Sequence, residues 1–269
     1  AILIYGFHCG TEGVAIPTLV SRFVAAFIII KLLLKDKWSL HLERTFRFNP
    51  DWSMIRKILS VGIPNGLENS MFQLGKVLVL SLVSTFGTYA IAANAVSNVI
   101  TLFSILPGQA ICLAVTTVIA RCVGAGDYEQ AKYYNKKLIL LTHIGMAITI
   151  FIVFITLPFI LKVYNLSEAA SEATRHIIWF HGFCAILIWA ESFTLPATFR
   201  ACGDAKACMI ISTVSMWIFR VGASYILGKN LGLGVFGVWV AMIIDWAFRS
   251  LLFGIRYFSG KWKKHALVS

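Results

Sequence analysis

Among the ionisable side chains inside apolar stretches long enough to cross a lipid bilayer, five are candidate site residues: Glu68, Lys76, Glu191, Arg220 and Asp245. A charge near the bilayer centre costs about 2.5–3.5 kcal/mol on insertion scales, so such residues usually face a partner or a water-filled cavity. The three carboxylates are therefore candidates for binding a proton, a sodium ion or a cationic substrate, and the two cations are further candidates for substrate binding. The alternative is that these charges form ion pairs that hold a bundle of helices together.

The spacing of the charges indicates which pairs are possible. At a rise of 1.5 Å per residue, Lys76 lies about 12 Å along a helix from Glu68, which is too far for a simple pair. We therefore expect both residues to find partners on other helices. Asp245 precedes Arg249 by four residues, so these two could pair along one helix face, or Arg249 could extend to the membrane surface.

Helix-breaking residues interrupt two of the predicted spans, and we expect them to act as hinges: Gly62, Pro64, Gly66, Pro107 and Gly108. Pro and Gly free backbone groups that lipid cannot satisfy, so a break in a spanning helix is expected where protein or cavity water covers it. The stretch VGIPNGLENSMFQLGK (61–76) combines such residues with a carboxylate and an ammonium group. The alternative for this stretch is a proline-kinked helix with a structural Glu–Lys pair.

The composition is that of a polytopic membrane protein. Hydrophobic residues make up 58% of the chain and charged residues 13%, whereas about a quarter of the residues of a soluble domain are charged. The net charge of +12 would suggest nucleic acid as a partner of a soluble protein. Here the basic residues lie in short connectors between apolar runs, so they indicate orientation in the membrane and no nucleic-acid partner.

An all-α fold with about seven transmembrane helices is predicted, with spans at about 14–34, 58–86, 89–120, 138–161, 164–199, 207–228 and 235–257. The longest connector is residues 35–57, a second polar connector is residues 121–137, and Ser167 is expected to cap the helix that follows it. Of the 24 Lys and Arg residues, 18 lie in one alternate set of connectors, which places that set and the C-terminus in the cytoplasm.

No pattern of enzyme chemistry is found. The six cysteines are scattered without a CxxC pair, so neither a disulfide nor a metal site is expected, and the dispersed histidines are interpreted as structural. No Ser/His/Asp arrangement or HExxH motif is present, and the Gly-bearing stretches do not follow strands. We therefore expect a protein that is not an enzyme and that uses no cofactor.

Several motifs, taken together, resemble the multidrug and toxic-compound extrusion (MATE) transporters along essentially the whole chain. They are GVAIPTLVSR (13–22), GIPNGLE (62–68), FGTYAIAANAVS (86–97), VGAGDYEQAK (123–132) and FRACGDAK (199–206). The resemblance implies twelve helices in two six-helix lobes. Residues 1–52 would then be the end of the N-terminal lobe, with helix 6 and a cytoplasmic linker, and residues 53–269 the C-terminal lobe. The chain is thus expected to be a fragment whose missing N-terminal lobe is its partner.

The resemblance also implies a function. MATE proteins export organic, often cationic, drug-like compounds across the plasma (inner) membrane by alternating access, in exchange for H⁺ or Na⁺. In the family a carboxylate of the seventh helix contributes to the cation or substrate site, and Glu68 is its nearest match, whereas Glu191 lies in the tenth helix without a convincing local alignment. A lipid-linked oligosaccharide flippase of related architecture is the alternative, because Arg22, Lys76 and Arg220 would suit a cationic cavity.

Overall fold

The computed structural model describes residues 12–34 and 50–262, and nearly all of these residues are helical. The chain divides into two compact units, Ala1–Asp51 and Trp52–Ser269, which are described separately. Most of the predicted 35–57 connector lies outside the described residues, as does Cys9, one of the six cysteines.

In the first unit the described structure is a single helix, α1 (Glu12–Leu33), which contains Pro17 and carries Lys31 in its last turn. Large apolar side chains of this helix are exposed, such as Phe23 at 70% and Leu19 at 61%. A helix that is apolar on all sides is typical of a membrane span. Its 19-residue apolar stretch, Ala15–Leu33, is long enough to cross a bilayer.

The second unit contains six helices in sequence: α2 (Trp52–Ser84), α3 (Thr88–Gly124), α4 (Tyr128–Tyr164), α5 (Glu168–Ala201), α6 (Ala205–Asn230) and α7 (Gly234–Phe258). Each connector between them is three residues long, so neighbouring helices run antiparallel. Gly126 and Gly203 have positive φ angles of 76° and 86°, a conformation that glycine adopts without a steric penalty. With α1, six of the seven described helices are long and apolar enough to span a membrane. The exception, α2, carries Glu68 and Lys76.

The helices are longer than the predicted spans because polar residues extend them. The predicted connector 121–137 shrinks to residues 125–127, since α4 begins at Tyr128. Asp127 caps α4 by accepting the Gln130 N–H at 2.8 Å, and polar residues are good formers of the first turns of a helix once the cap is in place. The predicted cap at Ser167 is confirmed, since its Oγ accepts the Ala170 N–H at 3.4 Å.

The prolines do not interrupt the helices. Pro64 lies within the continuous helix α2, and Pro107 lies within the continuous helix α3. The prediction that the helix is interrupted within residues 61–76 is therefore wrong. An internal proline removes one backbone hydrogen bond, and the rest of this long helix continues. The departure from α geometry occurs in α6, which is α-helical over Ala205–Ser215 and π-helical over Met216–Gly222 and Tyr225–Asn230.

Helix α5 is the most deeply buried of the described candidate spans. Around its middle, Trp189 packs with Trp239 and Trp246 of α7 in one core cluster. A second cluster, at the end of the unit where α5 ends, includes Phe199 and Phe253. In both clusters side chains of α5 pack against side chains of α7.

Candidate functional site

Helices α2, α3, α5, α6 and α7 surround a cavity of about 520 Å³ in the second unit. A smaller compartment of about 210 Å³ shares the side chains of Lys76, Asn98, Arg220, Trp239 and Met242 with it. The two spaces together are called the central cavity below. Its size is within the range of sites that hold drug-sized molecules.

Aromatic side chains form much of the cavity wall: Phe72, Trp189, Phe193, Trp239 and Trp246. The ring of His181 lies between two of them, 5.5 Å from that of Trp239 and 5.3 Å from that of Trp246, both in edge-on geometry. Trp189 stacks on Phe193 with 4.8 Å between ring centroids. Such rings offer a large apolar contact area of fixed shape.

Three cationic side chains line the central cavity: Lys76, Arg200 and Arg220. Among the described residues, no Asp or Glu lines either compartment. Lys76 is exposed and forms no ion pair with any described residue. The lining is therefore cationic and aromatic, which differs from the expectation that carboxylates would face the substrate.

Asp245 lies behind the cavity wall and is fully buried. Its Oδ1 accepts a hydrogen bond from Ser215 Oγ at 2.5 Å, and its Oδ2 lies 4.0 Å from Arg220 Nη1. Arg220 also donates to Met242 Sδ at 3.0 Å. Two of the predicted site residues, Asp245 and Arg220, are thus brought together, with the guanidinium turned toward the cavity and the carboxylate beneath it.

Arg249 does not form the predicted pair with Asp245 and does not reach the membrane surface. It is buried, with 2% of its surface exposed, and its Nε and Nη1 have no hydrogen-bond partner among the described residues. Its guanidinium lies 4.8 Å from the Phe193 ring centroid and 5.6 Å from that of Phe72. The guanidinium of Arg249 therefore packs against aromatic faces, which attract a cation.

Glu68 forms its contact across helices, as expected. Arg200 Nη1 of α5 donates to Glu68 Oε2 at 3.4 Å, and Glu68 is 8% exposed. The sequence predicts Arg200 to lie in a connector, because the predicted span ends at residue 199. The longer α5 places it in the cavity wall, so the arginine partner of Glu68 was missed.

Glu191 lies apart from the central cavity. Its Oε1 lies 3.0 Å from His143 Nε2, and the other ring nitrogen of His143 lies 2.7 Å from the Ile186 carbonyl oxygen. Glu191 Oε2 is buried without a partner among the described residues. No spacing pattern points to His143, because its partner Glu191 lies 48 residues away. The three candidate carboxylates therefore occupy three separate places.

The candidate hinge residues have different surroundings. Gly62 and Gly66 are exposed, and a Cβ atom at either position would meet nothing within 4 Å. Gly108 is buried, and a Cβ there would lie 2.3 Å from the Trp189 ring. Pro107 also belongs to a packed region, since its Cβ would lie 3.2 Å from a Cβ at Gly145. Of these candidate positions, only Gly62 and Gly66 have open space in which the helix could change direction.

Known proteins resemble this chain along nearly its whole length. A probable multidrug resistance protein NorM of Thermotoga maritima is 27% identical over 267 residues, covering 98% of this chain and 57% of the relative. A probable multidrug resistance protein YoeA of Bacillus subtilis is 25% identical, with the same coverage. The chain thus spans little more than half the length of these relatives. The uncharacterized transporter YisQ of Bacillus subtilis is 26% identical, and these relatives support a non-enzymatic protein.

The solved structures agree on the fold. An outward-facing multidrug resistance MATE family transporter of the MOP superfamily superimposes with a TM-score of 0.85 at 20% identity, covering 98% of this chain and 59% of that chain. This match confirms the predicted all-α membrane fold of about seven helices. The MatE family model matches residues 64–226, which include α3, α4 and α5 entirely. This chain belongs to the MatE family.

Proposed function

We propose that the protein to which this chain contributes is a secondary active multidrug efflux transporter that works by alternating access. The observation that carries the proposal is the central cavity, whose aromatic wall suits varied organic molecules. The names of the relatives support export of drug-like compounds. The proposal includes an N-terminal lobe as partner, because the relatives are nearly twice as long as this chain.

The coupling ion in this proposal is H⁺ or Na⁺, and no other cofactor is required. Glu68 and Asp245 are the carboxylates that neutralise two cavity arginines, Arg200 and Arg220. A proton or sodium ion on either carboxylate would remove that neutralisation and raise the positive charge of the cavity. The affinity of the cavity for its substrate would change with it, as exchange requires.

Gly62 and Gly66 are the proposed hinge positions in α2, because they have free space around them. A change in the direction of α2 would move Phe72 and Lys76, which both line the cavity. Hinge motions of this kind absorb backbone changes in a few residues while the packed helices stay rigid. The packed core around α5 and α7 would be the rigid part.

We also propose that the protein is integral to the plasma (inner) membrane with its C-terminus in the cytoplasm. Two of the predicted cytoplasmic connectors and the end of α7 lie at the same end of the second unit. Asp204 accepts Arg256 Nε at 2.6 Å, and the rings of Tyr128 and Trp262 lie 6.3 Å apart. These contacts join the α3–α4 connector, the α5–α6 connector and the end of α7, so the basic residues share one face of the membrane.

A flippase is the second candidate function, and the cationic lining at Lys76, Arg200 and Arg220 is the observation in its favour. The relatives are named for multidrug resistance, so the comparisons do not favour it. The aromatic wall also leaves less room for the hydrated sugars of a lipid-linked oligosaccharide.

The test is drug efflux from cells that express the complete reading frame, with and without Glu68→Gln, while the pH and sodium gradients are collapsed separately. We expect Glu68→Gln to lower efflux several-fold at equal expression, and one gradient to be required. Glu172→Gln is the matched control, since Glu172 is exposed at the start of α5. Efflux that responds to neither gradient nor Glu68→Gln would remove the exchanger proposal and favour the flippase.

A further inference from the structure

We propose that the central cavity selects amphipathic organic anions, meaning an aromatic ring system that carries a sulfonate, carboxylate or phosphate group. This inference rests on the proposed transport function and names the substrate class for this unit. It departs from the expectation of cationic substrates that the family resemblance implies. Three independent features of the cavity carry it: the sign of the lining charges, their crowding around Phe72, and the occupation of the aromatic faces.

The accessible charges of the cavity are all positive. Lys76, Arg200 and Arg220 reach the lining, whereas Asp245 is 0% exposed and the Glu68 side chain 9% exposed. Glu68 and Asp245 thus pair with Arg200 and Arg220 but are themselves buried, so a ligand in the cavity would not contact them. A cationic ligand would meet like charges and no lining acid among the described residues, while an anionic ligand would meet three cations. Arginine and lysine are the side chains that form strong charge-assisted bonds to such anions.

Two of these cations crowd around one ring. Lys76 Nζ lies 5.4 Å from the Phe72 centroid, and the Arg220 guanidinium carbon lies 5.3 Å from it. Lys76 has no carboxylate partner among the described residues. The positive potentials of these two cations add beside the Phe72 ring, which favours an anionic group there.

Two of the wall rings that could attract a cationic ligand, Phe72 and Phe193, already face protein cations. Phe72 has Lys76, Arg220 and Arg249 within 5.6 Å of its centroid, and Phe193 has Arg249 at 4.8 Å. A ring that faces a protein cation has little remaining attraction for a second one. The other wall rings, those of Trp239 and Trp246, remain as apolar surfaces for the ring system of the ligand.

The experiment compares two dyes of the same shape and opposite charge, 1-pyrenesulfonate and 1-pyrenyltrimethylammonium. Protein from the complete reading frame is purified in a neutral detergent, and quenching of tryptophan fluorescence by each dye gives its Kd. Trp189, Trp239 and Trp246 line the cavity, so a dye bound there lies close to the emitters. Competition with naphthalene-2-sulfonate or with a short-chain phosphatidylglycerol then distinguishes a soluble aromatic anion from a lipid headgroup.

We expect the sulfonate to bind at least roughly tenfold tighter than the ammonium dye. Lys76→Gln should weaken sulfonate binding by roughly tenfold, as for loss of one charge-assisted bond, and Lys76→Arg should retain it. Lys136→Gln is the matched control, because Lys136 is an exposed lysine of α4 that lines neither compartment. Lys76 pairs with no carboxylate among the described residues, so its removal breaks no ion pair there and the variant is expected to fold.

Tighter binding of the ammonium dye, equal binding of both dyes, or equal loss in Lys76→Gln and Lys136→Gln would overturn the inference. Binding of neither dye would overturn it as well. Drug efflux that persists in any of these cases would leave the transport function standing with a different substrate class. Loss of all ion-coupled efflux would instead remove the transport function itself, so the two failures are distinguishable.

Discussion

Asp245 is the residue on which the electrostatics of the cavity depend most directly. It is fully buried, accepts a hydrogen bond from Ser215 and lies 4.0 Å from Arg220 Nη1. Its Oδ2 has no hydrogen-bond partner among the described residues. A buried carboxylate that lacks some of its hydrogen-bond partners destabilises the fold by itself. Asp245 therefore contributes by compensating the charge of the Arg220 guanidinium.

Neutralising this carboxylate should leave Arg220 as an uncompensated buried charge. We expect Asp245→Asn to lower the free energy of unfolding by roughly 3–5 kcal/mol. Addition of Arg220→Met to Asp245→Asn should restore part of the loss, because the orphaned charge is then gone. Equilibrium unfolding in detergent, followed by tryptophan fluorescence, measures both effects. Equal stability of Asp245→Asn and a Glu172→Gln control would contradict this role.

At the residue scale the sequence identified charged side chains that lie among the helices, but it did not identify their partners. A charge inside an apolar run is recognisable from one residue and its neighbours, so Glu68, Asp245 and Arg220 were all identified. Their partners come from other helices, and sequence spacing contains no information on which helix faces which. The four-residue spacing therefore suggested Asp245–Arg249, whereas Asp245 is paired with Arg220, which lies 25 residues earlier.

At the scale of helices, glycine packing determines how close α3 lies to α5. A Cβ added at Gly108 would lie 2.3 Å from the Trp189 ring, and that ring is 2% exposed and stacked on Phe193. Gly108 thus allows close packing of α3 on α5, and its surroundings leave no room for a hinge. Gly66 of α2, with open space around its Cα, is the contrasting case.

Alanine substitutions should separate these two roles. We expect Gly108→Ala to lower stability by about 1–3 kcal/mol, because overpacking must displace Trp189. Gly66→Ala should raise stability by about 0.5–1 kcal/mol, because alanine favours an exposed helix. Thermal unfolding in detergent gives the order of the two variants. If α2 bends at Gly66 during transport, efflux by Gly66→Ala will fall although its stability rises.

The opposite order of stabilities would refute the packing role of Gly108. Unchanged efflux in a stable Gly66→Ala protein would exclude a hinge at that position. Either outcome is read against expression level, so a loss of protein cannot be mistaken for a loss of transport.

Helix positions were largely predictable, and their ends and internal geometry were not. Hydropathy identifies the residues that face lipid, so the spans of α3, α4, α5 and α7 were found. Hydropathy does not indicate that polar residues continue a helix beyond the lipid, as residues 128–137 do in α4. Nor does it distinguish α from π turns, because the wide turns of Met216–Gly222 follow from packing and not from local preference.

At the scale of the whole molecule, α4 offers a direct test of orientation in the membrane. Lys136 and Lys162 are exposed residues of this helix separated by 26 residues. At 1.5 Å per residue they are about 39 Å apart along the axis, close to the full thickness of a bilayer with its headgroups. They should therefore emerge on opposite sides.

We expect a single-cysteine reporter Lys136→Cys to react with a membrane-impermeant maleimide only from the cytoplasmic side. Lys162→Cys should react only from the outside. The protein background must lack its native cysteines, and labelling of intact cells and of inverted vesicles gives the two readings. Reaction of both positions from the same side would show that α4 does not span, and the reverse pattern would invert the proposed orientation.

The cationic lining of the cavity also matters for the solution in which the protein is handled. Charged clefts concentrate small ions of opposite sign, and inorganic anions will gather beside Lys76 and Arg220 whenever no larger ligand is bound. Phosphate or sulfate in a buffer then acts as a weak competitor that every substrate must displace. Affinities measured in phosphate and in gluconate at equal ionic strength will differ, and the difference will report the charge of the empty cavity.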